Sequence, residues 1–487
     1  MKIITRDWIH KDAHFFAFQR GFKVQALYEI IDYWKKKLVE HGALPGHKIG
    51  LAAPVHDIAY VALTFAAFEL GLKLVILLKP ITEKELNDLK FKAHLPLDVL
   101  VLDQWAIEDP KIKDHFVRNS KIIVPLKTID YLFFTMDRDH LKYRNKIDAR
   151  PDEDLILCTS SGTTGVPKLV NHSHKFLYDL CTINRFQLEF EEEDRCLHLA
   201  TFNHGSSLSI FFLPALKTAK WHYFNLFYGF SATSNEESNW DKFVEFCKKN
   251  KITKILCPFS LYTDHIISAI GRDKEGLPNL TLMVLSFINP KWLPTAQTGK
   301  LKKIVSIYGC TETGGPLFLP YIDQNTNKIN PKFLGQPIDG FYDIKIIDNS
   351  LTVKLPDGVV VETEDFISQD KNGCTFISKK KMARINDVEI NPNDIIELFE
   401  KHIPYVSRNS LVIIVDEIYN NLYVVTNNQT LTLENEKMKS IIKDFYSNRV
   451  ELAAIMYIES LNYSVVGIKP DKERILDYIR QRNNEQY

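Results

Sequence analysis

The sequence predicts an α/β protein: a large N-terminal region of α/β subdomains, followed by a small α+β domain. Three observations carry this. Lys48 to Leu78 reads strand, helix, strand, the order of a βαβ unit. Short apolar runs alternate with helical patterns as far as Ile307, which fits a sheet buried on both faces. After Ala383, strands and helices mix over a stretch of ordinary domain size. The expected division is an N-terminal domain at 1–378 and a C-terminal domain at 379–487.

Taken in order, residues 1–22 show aromatic punctuation (Phe15, Phe16, Phe18) and little regular pattern. Val24 to Glu40 has apolar residues at helical spacing, with Lys35-Lys36-Lys37 largely on the solvated face. Lys48 to Pro54 is a strand ending in a turn, Asp57 to Leu70 an apolar helix, and Gly71 its C-cap. Leu72 to Leu78, Leu97 to Leu102, Lys121 to Pro125 and Leu155 to Cys158 read as strands. Asn171-His172-Ser173-His174 leads into a helix from about Lys175. A His-x-His pair raises metal binding, but no third ligand is near and Ser173 is a natural N-cap. Further strands are expected at Cys196 to Ala200, Lys254 to Pro258, Leu282 to Ser286 and Ile304 to Ile307, with an apolar helix over Ser206 to Leu216. A hairpin turns at Pro356-Asp357-Gly358.

Composition narrows the function. The 487 residues are 45% hydrophobic and 25% charged, and 61 basic side chains balance 61 acidic ones. No net field points to nucleic acid or a membrane surface. Seven scattered cysteines without C-x-x-C argue against a disulfide framework or zinc site and fit a reducing compartment. No signal pattern or membrane-length apolar run is found, so a cytoplasmic protein is expected.

The chemistry concentrates at Thr159-Ser160-Ser161-Gly162-Thr163-Thr164-Gly165-Val166-Pro167-Lys168, directly after a buried strand. Glycines turn backbone N–H groups toward an anion, hydroxyls donate further bonds, and lysine adds a point charge. The spacing is not that of a nucleotide P-loop, because Val166-Pro167 separates Gly165 from Lys168, and G-x-G-x-x-G is absent. The second stretch is Tyr308-Gly309-Cys310-Thr311-Glu312, again at the end of a strand.

Together these resemble the adenylate-forming superfamily of acyl-CoA synthetases, peptide-synthetase adenylation domains and luciferases. Ser160 to Lys168 matches its phosphate loop [ST]-[ST]-G-[ST]-T-G-x-P-K, and Tyr308 to Glu312 its Y-G-x-T-E. The resemblance implies ATP and Mg²⁺, a carboxylic acid substrate, and a small C-terminal domain that moves. It assigns the triphosphate to Thr159, Ser160, Ser161, Gly162, Thr163, Thr164, Gly165 and Lys168. It assigns adenine to Tyr308, close backbone approach to the ligand to Gly309, the α-phosphate to Thr311, the ribose to Asp365, and the metal to Glu312 and Thr163. His204 would stand at the mouth of the acid pocket, Lys469 would bridge the reacting oxygens, and Lys380 would be the hinge. Phe211, Phe212 and Tyr262 are candidates for the pocket wall or for core.

The sequence also departs from the pattern. Ser286-Phe287-Ile288-Asn289 replaces a Gly-Gly turn beside adenine, Glu364 replaces the Gly of T-G-D, and Ser378 takes the place of an Arg. Asp387 replaces a Gly that lines the pantetheine tunnel, and Ile468 is inserted into the final G-K-x-D. No acidic residue occurs from Thr201 to Ala215 to pair with an ammonium, which disfavours an α-amino acid. Three readings follow. One is an acid–thiol ligase using CoA or a carrier protein. Asp387 motivates an adenylating enzyme with an amine acceptor. Ser378, Glu364 and the altered adenine turn motivate a non-catalytic binding relative.

Overall fold

The computed structural model describes residues 2–17, 20–52, 58–75, 97–103, 120–126, 138–160, 168–199, 205–224, 237–257, 260–285, 292–300, 302–326, 330, 332–338, 340–379, 383–403, 406, 411–426, 428–457, 475–476 and 478–480. The chain divides into two compact units: Met1–Thr363 with Ser368–Phe376, and Glu364–Ile367 with Ile377–Tyr487.

The first unit contains two large sheets. One has β3 (Lys48–Ala52), β4 (Lys73–Val75), β5 (Leu97–Asp103), β6 (Ser120–Leu126), β7 (Asp154–Ser160) and β8 (Lys168–Ser173), in the order β6-β5-β3-β4-β7-β8. Its strands run parallel except β8, which returns antiparallel beside β7. The other has β1 (His14–Ala17), β2 (Arg20–Lys23), β9 (Arg195–His198), β10 (Trp221–Phe224), β11 (Lys254–Cys257), β12 (Leu282–Leu285), β13 (Lys303–Ser306) and β16 (Tyr321–Asp323). Its order is β16-β13-β12-β11-β9-β10-β1-β2, with antiparallel strands only at the two edges. Every residue of β11 and β12 is buried, as expected of central parallel strands covered on both faces.

Residues 1–22 carry more structure than their pattern suggested: a 3-10 turn at Arg6–Trp8, then β1 and β2. β1 is held by parallel pairing to β10, far away in the chain, so a local pattern has little to reveal. The helix α1 (Val24–Glu40) forms where its spacing placed it. Lys35 differs from expectation. It lies four positions after Ile31, on the buried face, and its Nζ is 2.7 Å from Glu69 Oε2 at the end of helix α2 (Ile58–Glu69). Arg6 completes the cluster, with Nη2 2.8 Å from Glu69 Oε2 and 2.5 Å from Asp32 Oδ1. These buried charges pair with one another, and losing one partner of such a group costs about 3–5 kcal/mol. Gly71 ends α2 at φ +65.

A five-stranded sheet is ordered β17-β21-β20-β19-β18, from β17 (Phe333–Gly335), β18 (Asp343–Ile347), β19 (Ser350–Lys354), β20 (Val360–Asp370) and β21 (Gly373–Lys379). The boundary between the units falls within β20 and β21. The second unit has the hairpin β22 (Ala383–Ile385) and β23 (Val388–Ile390), then the sheet β24 (Leu411–Asp416), β25 (Asn421–Thr426) and β26 (Leu452–Tyr457). Helices Pro392–His402 and Asn435–Phe445 bury Phe399, Met438 and Ile442 in its core. Among the described residues no helix is long and apolar enough to cross a membrane.

Candidate active site

The phosphate-loop stretch leaves the end of β7 and rejoins the described chain at the start of β8. β7 and β8 pair antiparallel, with Thr159 opposite Leu169 and Ser160 opposite Lys168, so these backbones close the neck of the loop. Ser161, Gly162, Thr163, Thr164 and Gly165 lie outside the described residues, as do His204, Lys380, Lys469 and the Ser286-Phe287-Ile288-Asn289 turn. Behind the loop, Cys158 is buried at the end of the apolar run, and burial pushes its thiol up to about 12. A Cβ built on Gly205 would stand 2.7 Å from Cys158 Sγ. The strand entering the phosphate loop therefore packs against the residue directly after His204, and only a glycine fits there.

The helix expected from Ser206 is three segments: Gly205–Ser207, a π-helical turn at Leu208–Phe212, and Leu213–Thr218. Phe211 packs edge-on against Phe190 and His198, and Phe212 against His198, so both are core residues.

The second signature begins with the short strand β14 (Tyr308–Gly309), paired antiparallel with β15 (Pro316–Phe318). Tyr308 is half-buried, its ring 5.6 Å from Phe318. A side chain at Gly309 would collide with the Gly315 carbonyl. The turn between the strands is held from within. Buried Thr313 donates its Oγ1–H among the carbonyls of Cys310 and Gly315, 2.9 Å from each. Tyr342 donates to the Thr313 carbonyl at 2.8 Å, and Ser209 donates to that of Gly314. Thr311 and Glu312 are half-buried on this braced turn. Glu312 offers the hard carboxylate oxygen that Mg²⁺ prefers, so the donor chemistry fits that ion.

The two signatures meet through His172, on β8 four positions after Lys168. Its Nε2 is 2.9 Å from the carbonyl oxygen of Thr311. A carbonyl only accepts, so Nε2 carries the proton. The ring is buried, and burial lowers its pKa, which favours the neutral form. His174 is separately engaged: the Ile4 N–H donates to its Nδ1 at 3.2 Å, and burial brings it down to about 4. The His-x-His pair thus serves two different partners, while Ser173 caps the helix His174–Gln187 by accepting from the Phe176 N–H. Two further histidines form a buried pair. His222 Nε2 donates to the Ala219 carbonyl, leaving Nδ1 to accept from His198 Nε2 at 3.2 Å. Among the described residues, ligand atoms of His10, Asp12 and Glu192 lie within 4.8 Å of one another. The Asp12 N–H donates to His10 Nδ1, which puts the ring proton on Nε2, and Lys220 holds Glu192 at 2.7 Å. Both facts favour an ion-pair cluster over a metal site.

In the second unit, Asp365 is buried and Glu364 before it has φ +57. That left-handed backbone suits the glycine of T-G-D, and here glutamate adopts it. Asp387 likewise has φ +63 and is exposed, forming with Asn386 the turn between β22 and β23. Ser378 lies in β21.

Sequence reasoning missed His172, Thr313 and Gly205. The Gly314-Gly315 pair after the second signature was the signal for the braced turn. A Cβ on Gly314 would meet His172 Cε1 at 2.9 Å, and one on Gly315 would meet Leu180 at 2.9 Å.

Comparison with known proteins agrees with these two signatures. The family described as AMP-binding enzyme matches residues 18–362. A 2-succinylbenzoate--CoA ligase from Bacillus pumilus (strain SAFR-032) is 23% identical over 320 residues, 64% of this chain and 58% of that protein's length. Among solved structures, O-succinylbenzoate Coenzyme A Synthetase from Bacillus subtilis, in complex with ATP and magnesium ion, superposes with a TM-score of 0.71 at 15% identity. The match covers 97% of this chain and 98% of that one. The amide bond synthetase McbA from Marinactinospora thermotolerans gives a TM-score of 0.71 at 14% identity, covering 97% and 98%.

Proposed function

The chain belongs to the AMP-binding enzyme family, the adenylate-forming superfamily, and on that premise we propose that it activates a carboxylic acid and passes the acyl group to a thiol of CoA or a carrier protein. The observation that carries this reading is the His172–Thr311 hydrogen bond, which ties the strand leaving the phosphate loop to the Tyr308–Glu312 turn.

In the first half-reaction a carboxylate oxygen attacks the α-phosphorus of ATP. A new O–P bond forms, the α–β phosphoanhydride bond breaks, and pyrophosphate leaves with the bonding electron pair. The step brings anions together, so catalysis rests on positioning and preplaced positive charge. Lys168, Thr159, Ser160, Ser161, Thr163 and Thr164 would hold the β- and γ-phosphates, with Gly162 and Gly165 letting the backbone approach. Tyr308 would stack on adenine, Thr311 would bond the α-phosphate, and Asp365 would take the ribose hydroxyls. Lys469 would bridge the carboxylate and the α-phosphate, and His204 would flank the acid. Glu312 and Thr163 would hold magnesium, which would neutralise charge on the phosphates. Acyl transfer then follows, the thiolate displacing AMP, after a rotation about Lys380.

One observation favours a second acceptor. Asp387 places an exposed carboxylate where thioester-forming members of the superfamily have glycine. On this reading an amine replaces the pantetheine thiol as acceptor, and the amide bond synthetase McbA, by its name, pairs such a product with a similar fold.

The test is acid-dependent ATP–pyrophosphate exchange over a panel of carboxylic acids, followed by product analysis with CoA, a loaded carrier or an amine. Exchange with thioester formation supports the first reading, and exchange with amide alone supports the second. No exchange with any acid points to the non-catalytic relative.

A further inference from the structure

We propose that His172 is a positioning residue for the magnesium–ATP site, holding the Thr311–Glu312 peptide in its binding orientation. The inference rests on the adenylation reading and adds to it a residue outside both signature stretches.

The bond from His172 Nε2 reaches the carbonyl of Thr311, which also accepts the Gly314 N–H at 3.0 Å. That carbonyl belongs to the planar peptide joining Thr311 to Glu312, so fixing its direction fixes where the Glu312 backbone starts. From Thr313 onward the turn is braced by Thr313 Oγ1, Tyr342 and Ser209. His172 braces it at the other end, where Thr311 and Glu312 would meet the α-phosphate and the metal.

The ring is itself pinned. Phe176 stacks on it at 5.0 Å and 15°. Gly314 lies against its edge, so closely that an added methyl would stand 2.9 Å from Cε1 and 3.2 Å from Nδ1. The strand β8 then runs back from His172 to Lys168 at the neck of the loop. Four residues of extended strand span about 13 Å. His172 therefore ties β8, whose other end lies at the neck of the loop, to the peptide that carries Thr311 and Glu312.

The experiment compares His172→Gln with His172→Asn in the full-length protein. The glutamine amide nitrogen can occupy the place of Nε2 and donate to Thr311, whereas the asparagine amide is one methylene too short. Three quantities are read: equilibrium binding of ATP by calorimetry across a magnesium titration, KM and kcat for exchange, and Tm. H172N is expected to weaken magnesium-dependent ATP binding and raise KM for ATP at least fivefold, with H172Q within twofold of the parent. Equal effects of the two variants, or no effect of either on binding, would overturn the proposal. If H172N does not fold, His172→Phe takes its place under the same criteria, and should that also fail to fold, H172Q weakening ATP binding fivefold or more overturns the proposal while binding within twofold sustains it. Because binding is read without catalysis, an inactive parent that binds ATP would count against the enzymatic reading while leaving this inference decidable.

Discussion

Gly314→Ala separates two costs that the structure superimposes at one residue. Gly314 has φ +68, a conformation costing an L side chain about 1–2 kcal/mol. The methyl would also stand 2.9 Å from His172 Cε1 and 2.9 Å from Phe176 Cε1. Neither atom is the tip of a flexible chain, since the rings are stacked on each other and His172 is hydrogen-bonded. Forced overpacking of this kind adds about 1–3 kcal/mol, for a total of about 3.5 kcal/mol. Gly340→Ala is the control: φ is +88, yet nothing lies within 4 Å of an added Cβ, so only the backbone cost applies. For a unit of roughly 370 residues at about 2.1 cal/mol/K of unfolding entropy each, 1 kcal/mol corresponds to about 1.3 °C. Scanning fluorimetry is expected to show Tm falling by about 4.5 °C for G314A and about 2 °C for G340A. G314A also loses exchange activity, because relief of the overlap pushes His172 away from Thr311. Equal Tm shifts with unchanged activity in both variants would refute the packing argument.

Three further outcomes are expected. Gly205→Ala drives a methyl against Cys158 Sγ and lowers exchange activity, and Cys158→Ala in the same chain restores it; an unrepaired double variant would exclude this contact as the cause. Glu364→Gly relieves a left-handed glutamate at φ +57 and, after the entropy cost of glycine, stabilises by about 0.5–1 kcal/mol; a lower midpoint in denaturant would contradict it. Buried histidines make the fold acid-sensitive: His174 is held down to about 4 and His222 to about 3, against about 6.5 when unfolded. Stability is full above about pH 6.5 and falls as the unfolded chain takes up protons first, by up to about 1.4 kcal/mol per pH unit for each histidine. Urea midpoints unchanged between about pH 7 and pH 5 would count against neutral buried rings.

What the sequence made legible was local. The apolar spacing of Val24 to Glu40 gave a helix with the observed ends, and Ser173 was recognisable as a cap because capping involves residues three apart. The two signatures were readable because their chemistry lies in consecutive residues. What stayed hidden depends on distant partners. β1 exists because β10 offers it an edge, and Lys35 is buried because Glu69 waits on a neighbouring helix. His172 has no partner legible in the sequence, because its acceptor, the Thr311 carbonyl, lies 139 residues on. Asp387 departs from glycine in sequence yet keeps a glycine-like backbone at φ +63, a tolerance that asparagine and aspartate share.

The most direct test of the account compares the parent with Lys168→Ala and Glu312→Gln in acid-dependent, magnesium-dependent ATP–pyrophosphate exchange. Loss of the phosphate cation or of the metal-binding carboxylate is expected to reduce exchange by about 100-fold or more, the scale seen when one preorganised transition-state contact is removed. Parent-level exchange in either variant would contradict the central claim that these two signatures form one nucleotide site.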